Sequence, residues 1–140
     1  MIPKDRVVID TNVFISYLIN NKTFDLLSFF INNNITIYSS EEIWTEFFSV
    51  IKKKYIQEKI PTAFYKDKTI YKDATEVITI DKTFNRAADP DDNFLFDIAF
   101  QSKSYYLITE ERALLNMKHV GRIQIIRFSA FKKMFLKQQK

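Results

Sequence analysis

The chain has 140 residues, of which 46% are hydrophobic, and its 21 Lys and Arg against 17 Asp and Glu give a formal net charge of +4. This length and the 14 Phe and 7 Tyr suit one domain, residues 1–140, with a single core, and they argue against a disordered chain. The absence of Cys and the single Gly exclude disulfides, thiolate zinc sites and a Gly-rich phosphate loop, while a single His disfavours a histidine metal cluster or a serine triad, so any bound metal would be held by oxygen.

The first predicted element is a strand over residues 7–9, an apolar run too short for a helix that ends on Asp10. We expect this strand to be parallel and buried, with Asp10 at its carboxyl end, where ligands bind in open α/β sheets. A helix is predicted over residues 13–20, and Asn12 or Thr11 can cap its start. Asp10 is equally well explained, on this stretch alone, as a turn residue between the strand and the helix.

The next predicted elements are a helix over residues 24–31, a strand over 35–38 and a long helix over 41–55. In the first of these helices, Phe24, Leu27 and Ile31 share one apolar face at helical spacing. In the long helix, Trp44 and Phe48 widen the apolar stripe, and we interpret them as core or interface residues. Glu46 lies at the edge of that stripe, and its position alone is also typical of a surface glutamate.

The second half of the chain also alternates strands with helices. The predicted helices cover residues 58–73, 94–100 and 113–117, and the predicted strands cover 76–80, 105–109 and 122–128, with a polar connection over 81–88. A final basic helix is predicted to be capped by Ser129, with Phe131 and Phe135 facing inward. This alternation predicts a mostly parallel sheet covered on both faces.

Four acid-bearing points stand at matching places of this predicted fold. They are Asp10 after the first strand, Glu46 early in the long helix, the stretch with Asp89, Asp91 and Asp92 before a helix, and Glu111 after the fourth strand. The helix dipole favours one or two acids at a helix start, but three exceed what capping needs. Converging carboxylates repel one another unless a divalent cation lies between them, and an all-oxygen site suits Mg²⁺ or Mn²⁺. Its natural chemistry is phosphodiester hydrolysis.

Basic residues cluster at positions 52–54, 122–127 and 132–140. Such clusters are usual on a solvated surface, and they also suit the phosphate backbone of a nucleic acid, so the charge leaves both interpretations open. The amino terminus lacks the apolar core of a signal peptide, and no stretch is apolar for the length of a membrane span. We therefore expect a cytoplasmic protein without membrane attachment.

Four segments together carry a resemblance to a known family. The segments VVIDTNVFISYLI, SSEEIWTEFFSVI, DPDDNFLFDIAF and YYLITEERALL, in this order, resemble the PIN-domain family, and within it the toxin components of type II toxin–antitoxin systems that are relatives of the VapC-like ribonucleases. The resemblance spans residues 7–135. It implies a three-layer α/β/α fold with a five-stranded parallel sheet in the order 3-2-1-4-5, a Mg²⁺ or Mn²⁺ site and metal-dependent, single-strand-directed cleavage of RNA.

Carried over residue by residue, the resemblance assigns four catalytic, metal-binding acids: Asp10, Glu46, Asp92 and Glu111. The last departs from the family pattern, which commonly has an aspartate there. Because a glutamate reaches one methylene further, the departure puts full activity in doubt or tunes the site to a larger ion.

Further polar residues match supporting positions of the family. They are Thr11, Asn12 and Thr109, with Asp97 one helical turn beyond Asn93 as an additional candidate. Structural capping explains the first three equally well. The lone His119 has no matching role, and we expect it to be a surface or packing residue.

Two other functions stay open. One is a catalytically weak or inactive PIN fold that binds RNA or a protein, and the other is an aspartyl-phosphate phosphotransfer domain built on Asp10, although Asn12 stands where such enzymes usually have a second aspartate. The resemblance also implies an antitoxin protein and a second copy of the chain, in a homodimer, as partners. The sequence itself shows neither.

Overall fold

The computed structural model describes residues 2–61, 69–81 and 93–138, which form six strands and eight helices. The strands are β1 (Arg6–Ile9), β2 (Thr36–Ser39), β3 (Glu76–Val77), β4 (Tyr106–Ile108), β5 (His119–Val120) and β6 (Ile123–Ile126). The helices are α1 (Thr11–Ile19), α2 (Thr23–Asn32), α3 (Glu41–Ile51), α4 (Lys54–Gln57), α5 (Ile70–Asp73), α6 (Asn93–Ser102), α7 (Arg112–Met117) and α8 (Phe128–Gln138).

The strands form one sheet in the order β3-β2-β1-β4-β6-β5. All neighbours are parallel except β5, which runs antiparallel to β6. The predicted three-layer α/β/α fold with a mostly parallel sheet is confirmed, and β6 takes the place of the predicted fifth strand. In the central strand β1, Val7, Val8 and Ile9 are all fully buried, as expected for a parallel strand covered on both faces. This burial explains why an uninterrupted apolar run predicted the strand.

The edge strand β5 was not predicted. It pairs His119 with Gln124 and Val120 with Ile123, and the short turn into β6 contains Gly121 at φ +58°. That backbone conformation suits glycine, which has no Cβ to clash. A glycine next to an apolar residue is the turn signal that could have revealed the hairpin.

Aromatic rings fill much of the core. Trp44, Phe14, Phe47 and Tyr71 are buried and contact one another with ring centroids 5.0 to 5.7 Å apart. The interpretation of Trp44 as a core residue is therefore confirmed, and its indole Nε1 donates to Ser39 Oγ at 3.0 Å, which satisfies its polar atom. A second cluster joins α2 to α8 through Phe29, Phe30, Phe128, Phe131 and Phe135.

The predicted apolar face of the helix over residues 24–31 was wrong for Phe24 and Ile31 and right for Leu27. Phe24 is 80% exposed and Ile31 is 64% exposed, whereas the buried residues of α2 are Leu26, Leu27 and Phe30. Both stripes fit a helical period, and α2 is turned so that Phe30 meets the rings of α8. Helical periodicity is therefore compatible with burial of either face, and the contact with α8 determines which face is buried.

Several element bounds also differ from prediction. The helix expected over residues 41–55 ends at Ile51, and α4 follows as a separate helix. Of the helix expected over 58–73, residues 62–68 lie outside the described residues, 58–61 are not helical and only α5 is. The third strand is limited to β3, and the polar connection lies outside the described residues from position 82 onward.

Two predicted helix caps were also wrong. The residue before α1 is Asp10 rather than Asn12 or Thr11, and α8 begins at Phe128, one residue before Ser129.

Candidate active site

Asp10 lies where β1 ends and α1 begins, and its side chain is only 4% exposed. Its backbone amide donates to the carbonyl of Ile108 at 2.9 Å, so the chain remains tied to β4 one residue beyond the strand. Thr109 Oγ1 donates to Asp10 Oδ2 at 2.9 Å. The carboxylate is thus held at the carboxyl edge of the sheet by the neighbouring strand's continuation, at the point where the chain order of strands reverses.

The pKa of the Asp10 carboxyl is raised above its ordinary value. Burial is the largest cause because it disfavours the charged form, while the Thr109 hydroxyl and the backbone amides of Asn12 and Thr11 partly oppose it by hydrogen bonding to the carboxylate. Among the described residues no Lys or Arg forms an ion pair with Asp10. Within the described part of the chain, Asp10 is therefore a buried acid whose hydrogen-bond donors are neutral.

Thr109 also links Asp10 to Glu111. The amide of Glu111 donates to Thr109 Oγ1 at 3.0 Å, and the same oxygen donates to Asp10. Glu111 is half-buried and precedes α7 directly. One hydroxyl therefore fixes the backbone of the segment that carries one candidate acid and the side chain of another.

The register of the sheet brings Ser40 beside Asp10. Val8 pairs with Tyr38, so two residues further along these parallel strands Asp10 stands level with Ser40. The hydroxyls of Ser40 and Thr11 are the two buried side-chain polar atoms of the described residues that lack a hydrogen-bond partner. Both follow the carboxyl ends of adjacent strands, where Ser40 precedes α3 without capping it through its side chain.

Helix α6 brings a second buried acid to the fold. Asp97 is 3% exposed and Asn93, one turn earlier, is 9% exposed, and α6 packs against β1, β2 and β4. Such burial of an aspartate is costly and is typical of an acid with a specific role or partner.

The remaining candidate acids are less clearly placed. Glu46 lies on α3 with its side chain exposed. Asp92, with Asp89 and Asp91, lies outside the described residues. His119 is exposed in β5, which agrees with the expected surface position.

The described segments do not assemble a metal cluster by themselves. Within residues 2–61, 69–81 and 93–138, no three His, Cys, Asp or Glu side chains are grouped closely enough to hold a metal ion. The structure brings Asp10, Thr109 and Glu111 together, and a complete site of the predicted kind also needs Glu46 and Asp92.

Sequence reasoning missed two features of this edge. The position of Ser40 at this edge was not anticipated, although its place after a short apolar strand matches that of Asp10. The ion pair between Arg127 and Glu110 was also not anticipated. In the sequence, Glu110 and Arg127 are visible only as polar residues that follow two predicted strands, and the structure shows that these strands, β4 and β6, are neighbours.

A three-layer α/β/α fold with a buried carboxylate at the carboxyl edge of its sheet is typical of the α/β proteins that bind ligands beside the strand ends. The chain belongs to the PIN domain family, whose model matches residues 6–113. PIN domains are generally metal-dependent nucleases, so the fold is of a nuclease type.

A relative is known from an archaeon. The chain is 32% identical over 124 residues to the uncharacterized protein MJ1680 of Methanocaldococcus jannaschii, in a match that covers 82% of this chain and 76% of the relative. No solved structure gives a significant match. In the part of the chain that the structure describes, none of the helices has the length and apolar character needed to cross a membrane.

Proposed function

We propose that the protein is a cytoplasmic, metal-dependent endoribonuclease that hydrolyses phosphodiester bonds of RNA, and that it acts as the toxin of a type II toxin–antitoxin module. The observation that carries the enzymatic part is Asp10, a buried carboxylate at the carboxyl edge of a PIN-domain sheet, held by Thr109 and without an ion pair among the described residues.

The donor chemistry at this edge fits a hard divalent cation. The acids are accompanied by hydroxyls and an amide and by no thiol or imidazole, and such all-oxygen sets suit Mg²⁺ or Mn²⁺. The buried hydroxyls of Thr11 and Ser40, which lack a hydrogen-bond partner among the described residues, follow the carboxyl ends of the adjacent strands β1 and β2 and have oxygen lone pairs to offer. A cation near Asp10 would also offset the cost of burying its charge.

In this proposal Asp10, Glu46, Asp92 and Glu111 hold the ion. When bound, the ion orients and activates a water molecule and stabilises negative charge on the attacking and leaving oxygens of the phosphodiester. Thr109, with the amides of Thr11 and Asn12, fixes the Asp10 carboxylate, and the buried Asp97 of α6 is an additional candidate acid.

A cleavage assay tests the enzymatic part. Structured and unstructured RNA would be incubated with the protein in Mn²⁺ and in Mg²⁺, beside the variant Asp10→Asn. Because a metal site supplies several kcal/mol of transition-state stabilisation, we expect Asp10→Asn to lower cleavage by roughly 100-fold or more. The matched control is Asp25→Asn, which removes an exposed acid of α2 and should leave cleavage unchanged. Equal activity of wild type and Asp10→Asn would refute the proposal.

A non-catalytic PIN fold that binds RNA or a protein is the second candidate. It is favoured by the exposed side chain of Glu46 and by the incomplete acid group of the described residues. Retained RNA binding by the wild type, without cleavage at any concentration of Mg²⁺ or Mn²⁺, would decide for it.

The toxin role needs partners of two kinds. An antitoxin protein would inhibit the enzyme, and a second copy of the chain would form a homodimer. Size-exclusion chromatography with light scattering tests the dimer, and expression in cells with wild type and Asp10→Asn tests toxicity. Growth inhibition by the wild type alone supports the toxin role, and unimpaired growth with active enzyme contradicts it.

A further inference from the structure

The hydroxyl of Ser40 is a buried polar group without an evident structural role. Ser40 is fully buried, and its Oγ has no hydrogen-bond partner within the part of the chain that the structure describes. Burial of an unpaired hydroxyl destabilises a folded protein, and a bound ion is one of the reasons for which such a group is retained. Thr11 shares this property, but it occupies a supporting position of the family, and Ser40 is not among those positions.

The hydroxyl of Ser40 does not cap the helix that follows it. Ser40 directly precedes α3, where a capping serine usually accepts a hydrogen bond from the amide of the second or third helical residue. The third residue is Ile43, and its amide donates instead to the backbone carbonyl of Ser40 at 3.1 Å. The side chain of Ser40 makes no capping hydrogen bond, so the start of the helix does not account for it.

Asp10 and Ser40 lie on the same face of the sheet. On that face, Arg6 Nη1 donates to the carbonyl of Ser102, the last residue of α6, at 2.9 Å, and Tyr38 lines a cavity together with Ser102. Because side chains alternate along a strand, Asp10 and Ser40 also point towards the α6 side. Both keep an extended backbone beyond their strands. Since neighbouring strands are about 4.8 Å apart, two side chains at matched register can share one small ion.

Helix α6 covers this pair of residues. From Ser102 back to Asn93 the helix spans about 13 Å at 1.5 Å per residue. From Arg6 to Asp10 the extended chain also spans about 13 Å at 3.3 Å per residue. The first turn of α6, with its buried Asn93, therefore lies level with Asp10 and Ser40. This cover explains why the Ser40 hydroxyl does not reach solvent.

The charges at this end of the sheet favour a cation over an anion. Asp10 forms no ion pair with a Lys or Arg of the described residues, and the first turn of α3 contains Glu41 and Glu42. Lys72 pairs with Glu41 at 3.1 Å, on the exposed side of the helix. A serine or threonine hydroxyl is a known ligand of Mg²⁺, as in phosphate-binding loops. The Ser40 oxygen therefore matches the kind of ion that the neighbouring carboxylate attracts.

We propose that Ser40 is a ligand of the divalent cation that Asp10 binds, and that its Oγ completes the oxygen set on the β2 side of the carboxylate. The inference rests on the metal-dependent function proposed above and adds a residue to it. Asp10 and Ser40 each carry a buried oxygen whose burial destabilises the metal-free protein. A single cation between β1 and β2 relieves both groups.

Metal binding without RNA tests this assignment. Metal-free protein is titrated with Mn²⁺ in a calorimeter, and stability is measured separately by urea unfolding in EDTA. We expect Ser40→Ala to weaken Mn²⁺ binding about tenfold, within the range found when residues that support a metal site are removed. Its stability in EDTA should equal or exceed that of the wild type. In the cleavage assay, the Mn²⁺ concentration for half-maximal activity should rise by the same factor.

The matched control is Ser104→Ala, which makes the same chemical change at the opposite end of the sheet. Ser104 is buried before the start of β4, and its Oγ lies 2.6 Å from Ser102 Oγ. This variant should lose stability while it keeps the Mn²⁺ affinity of the wild type. Asp10→Asn, in contrast, should weaken Mn²⁺ binding at least as much as Ser40→Ala does.

Three results would overturn the role of Ser40. The first is wild-type Mn²⁺ affinity in Ser40→Ala, which together with a lower stability in EDTA would show that the hydroxyl caps α3 in solution. The second is an equal loss of affinity in Ser40→Ala and Ser104→Ala. The third is a wild type that binds no Mn²⁺ at millimolar concentration.

The same measurements separate this inference from the proposed function. RNA cleavage by the wild type, with Mn²⁺ binding that is insensitive to Ser40→Ala, would overturn the role of Ser40 and leave the ribonuclease proposal intact. Mn²⁺ binding that depends on Asp10 and Ser40, without cleavage of RNA by the wild type, would support Ser40 as a metal ligand and refute the ribonuclease.

Discussion

Thr109 Oγ1 donates a hydrogen bond to Asp10 Oδ2 at 2.9 Å, and this contact joins the residues that follow the two neighbouring strands β1 and β4. It supplies part of what the buried carboxylate loses by leaving water. The pKa of Asp10 is nevertheless raised, which means that the ionised group destabilises the metal-free native state.

The first prediction concerns the pH dependence of stability. Because the native pKa of Asp10 exceeds its unfolded value of 3.8, the stability that its protonation provides is complete below pH 3.8 and is lost as the pH rises through the raised pKa. Asp10→Asn removes this dependence. We expect the variant to be more stable than the wild type near neutral pH in EDTA, with the difference vanishing at acid pH.

Urea unfolding at several pH values measures this difference. Asp25→Asn serves as the control because Asp25 is exposed. A lower stability of Asp10→Asn at neutral pH would contradict the assignment of Asp10 as a destabilising buried charge.

The second prediction compares two adjacent serines. Ser39 Oγ accepts from Trp44 Nε1 at 3.0 Å and contacts Thr75 Oγ1 at 2.8 Å, whereas the buried hydroxyl of Ser40 has no partner among the described residues. Ser39→Ala should cost about 1 to 3 kcal/mol, because it leaves a buried indole N–H unpaired. Ser40→Ala should change the free energy of unfolding by less than about 0.5 kcal/mol or increase it. Equal losses, measured by urea denaturation, would show that the Ser40 hydroxyl is bonded in solution.

The third prediction concerns stability at alkaline pH. Tyr71 is fully buried, its hydroxyl lies 2.8 Å from Thr23 Oγ1, and burial raises its pKa from 10.0 to about 12. The native state therefore loses stability as the pH rises from 10 towards 12, by up to about 3 kcal/mol from this group.

The variant Tyr71→Phe isolates that contribution. It loses one hydrogen bond, worth about 1 kcal/mol at neutral pH, and it should lose less stability than the wild type between pH 10 and 12. Parallel stability curves for the two proteins over this interval would contradict the prediction.

The fourth prediction tests which face of α2 is buried. Phe24 is 80% exposed and Phe30 is 1% exposed. Phe30→Ala should destabilise the protein by about 3 to 5 kcal/mol because it leaves a cavity among the rings of α8. Phe24→Ala should have an effect of about 0.5 kcal/mol or less. The order of the two effects would be reversed if the face expected from periodicity alone were the buried one.

The strands could be predicted because burial on both faces leaves a direct mark on the sequence, whereas their order was implied by the resemblance to the PIN-domain family. The run Val7, Val8, Ile9 is fully apolar, and its abrupt end places Asp10 at the sheet edge. The same logic placed Thr109 at the end of β4. Parallel strands aim their ends in one direction, so the proximity of Asp10 and Thr109 followed from topology.

The remaining features depend on interactions that a linear pattern does not record. The orientation of α2 depends on which rings it meets, and the two-residue strand β5 is too short for any periodicity. That Ser40 lacks a hydrogen-bond partner in the described part of the chain, while Ser39 has two contacts there, reflects side-chain geometry rather than residue type. The assignment of Asp10, Glu46, Asp92 and Glu111 as metal ligands remains a prediction, and Asp92 lies outside the described residues.

The two outermost strands, β3 and β5, each contain only two residues. A long exposed edge strand would present a row of unpaired backbone donors and acceptors to which another chain could add a strand. Edge strands of two residues offer an incoming strand few backbone hydrogen bonds. They therefore protect a chain rich in β-branched and aromatic residues from edge-to-edge aggregation.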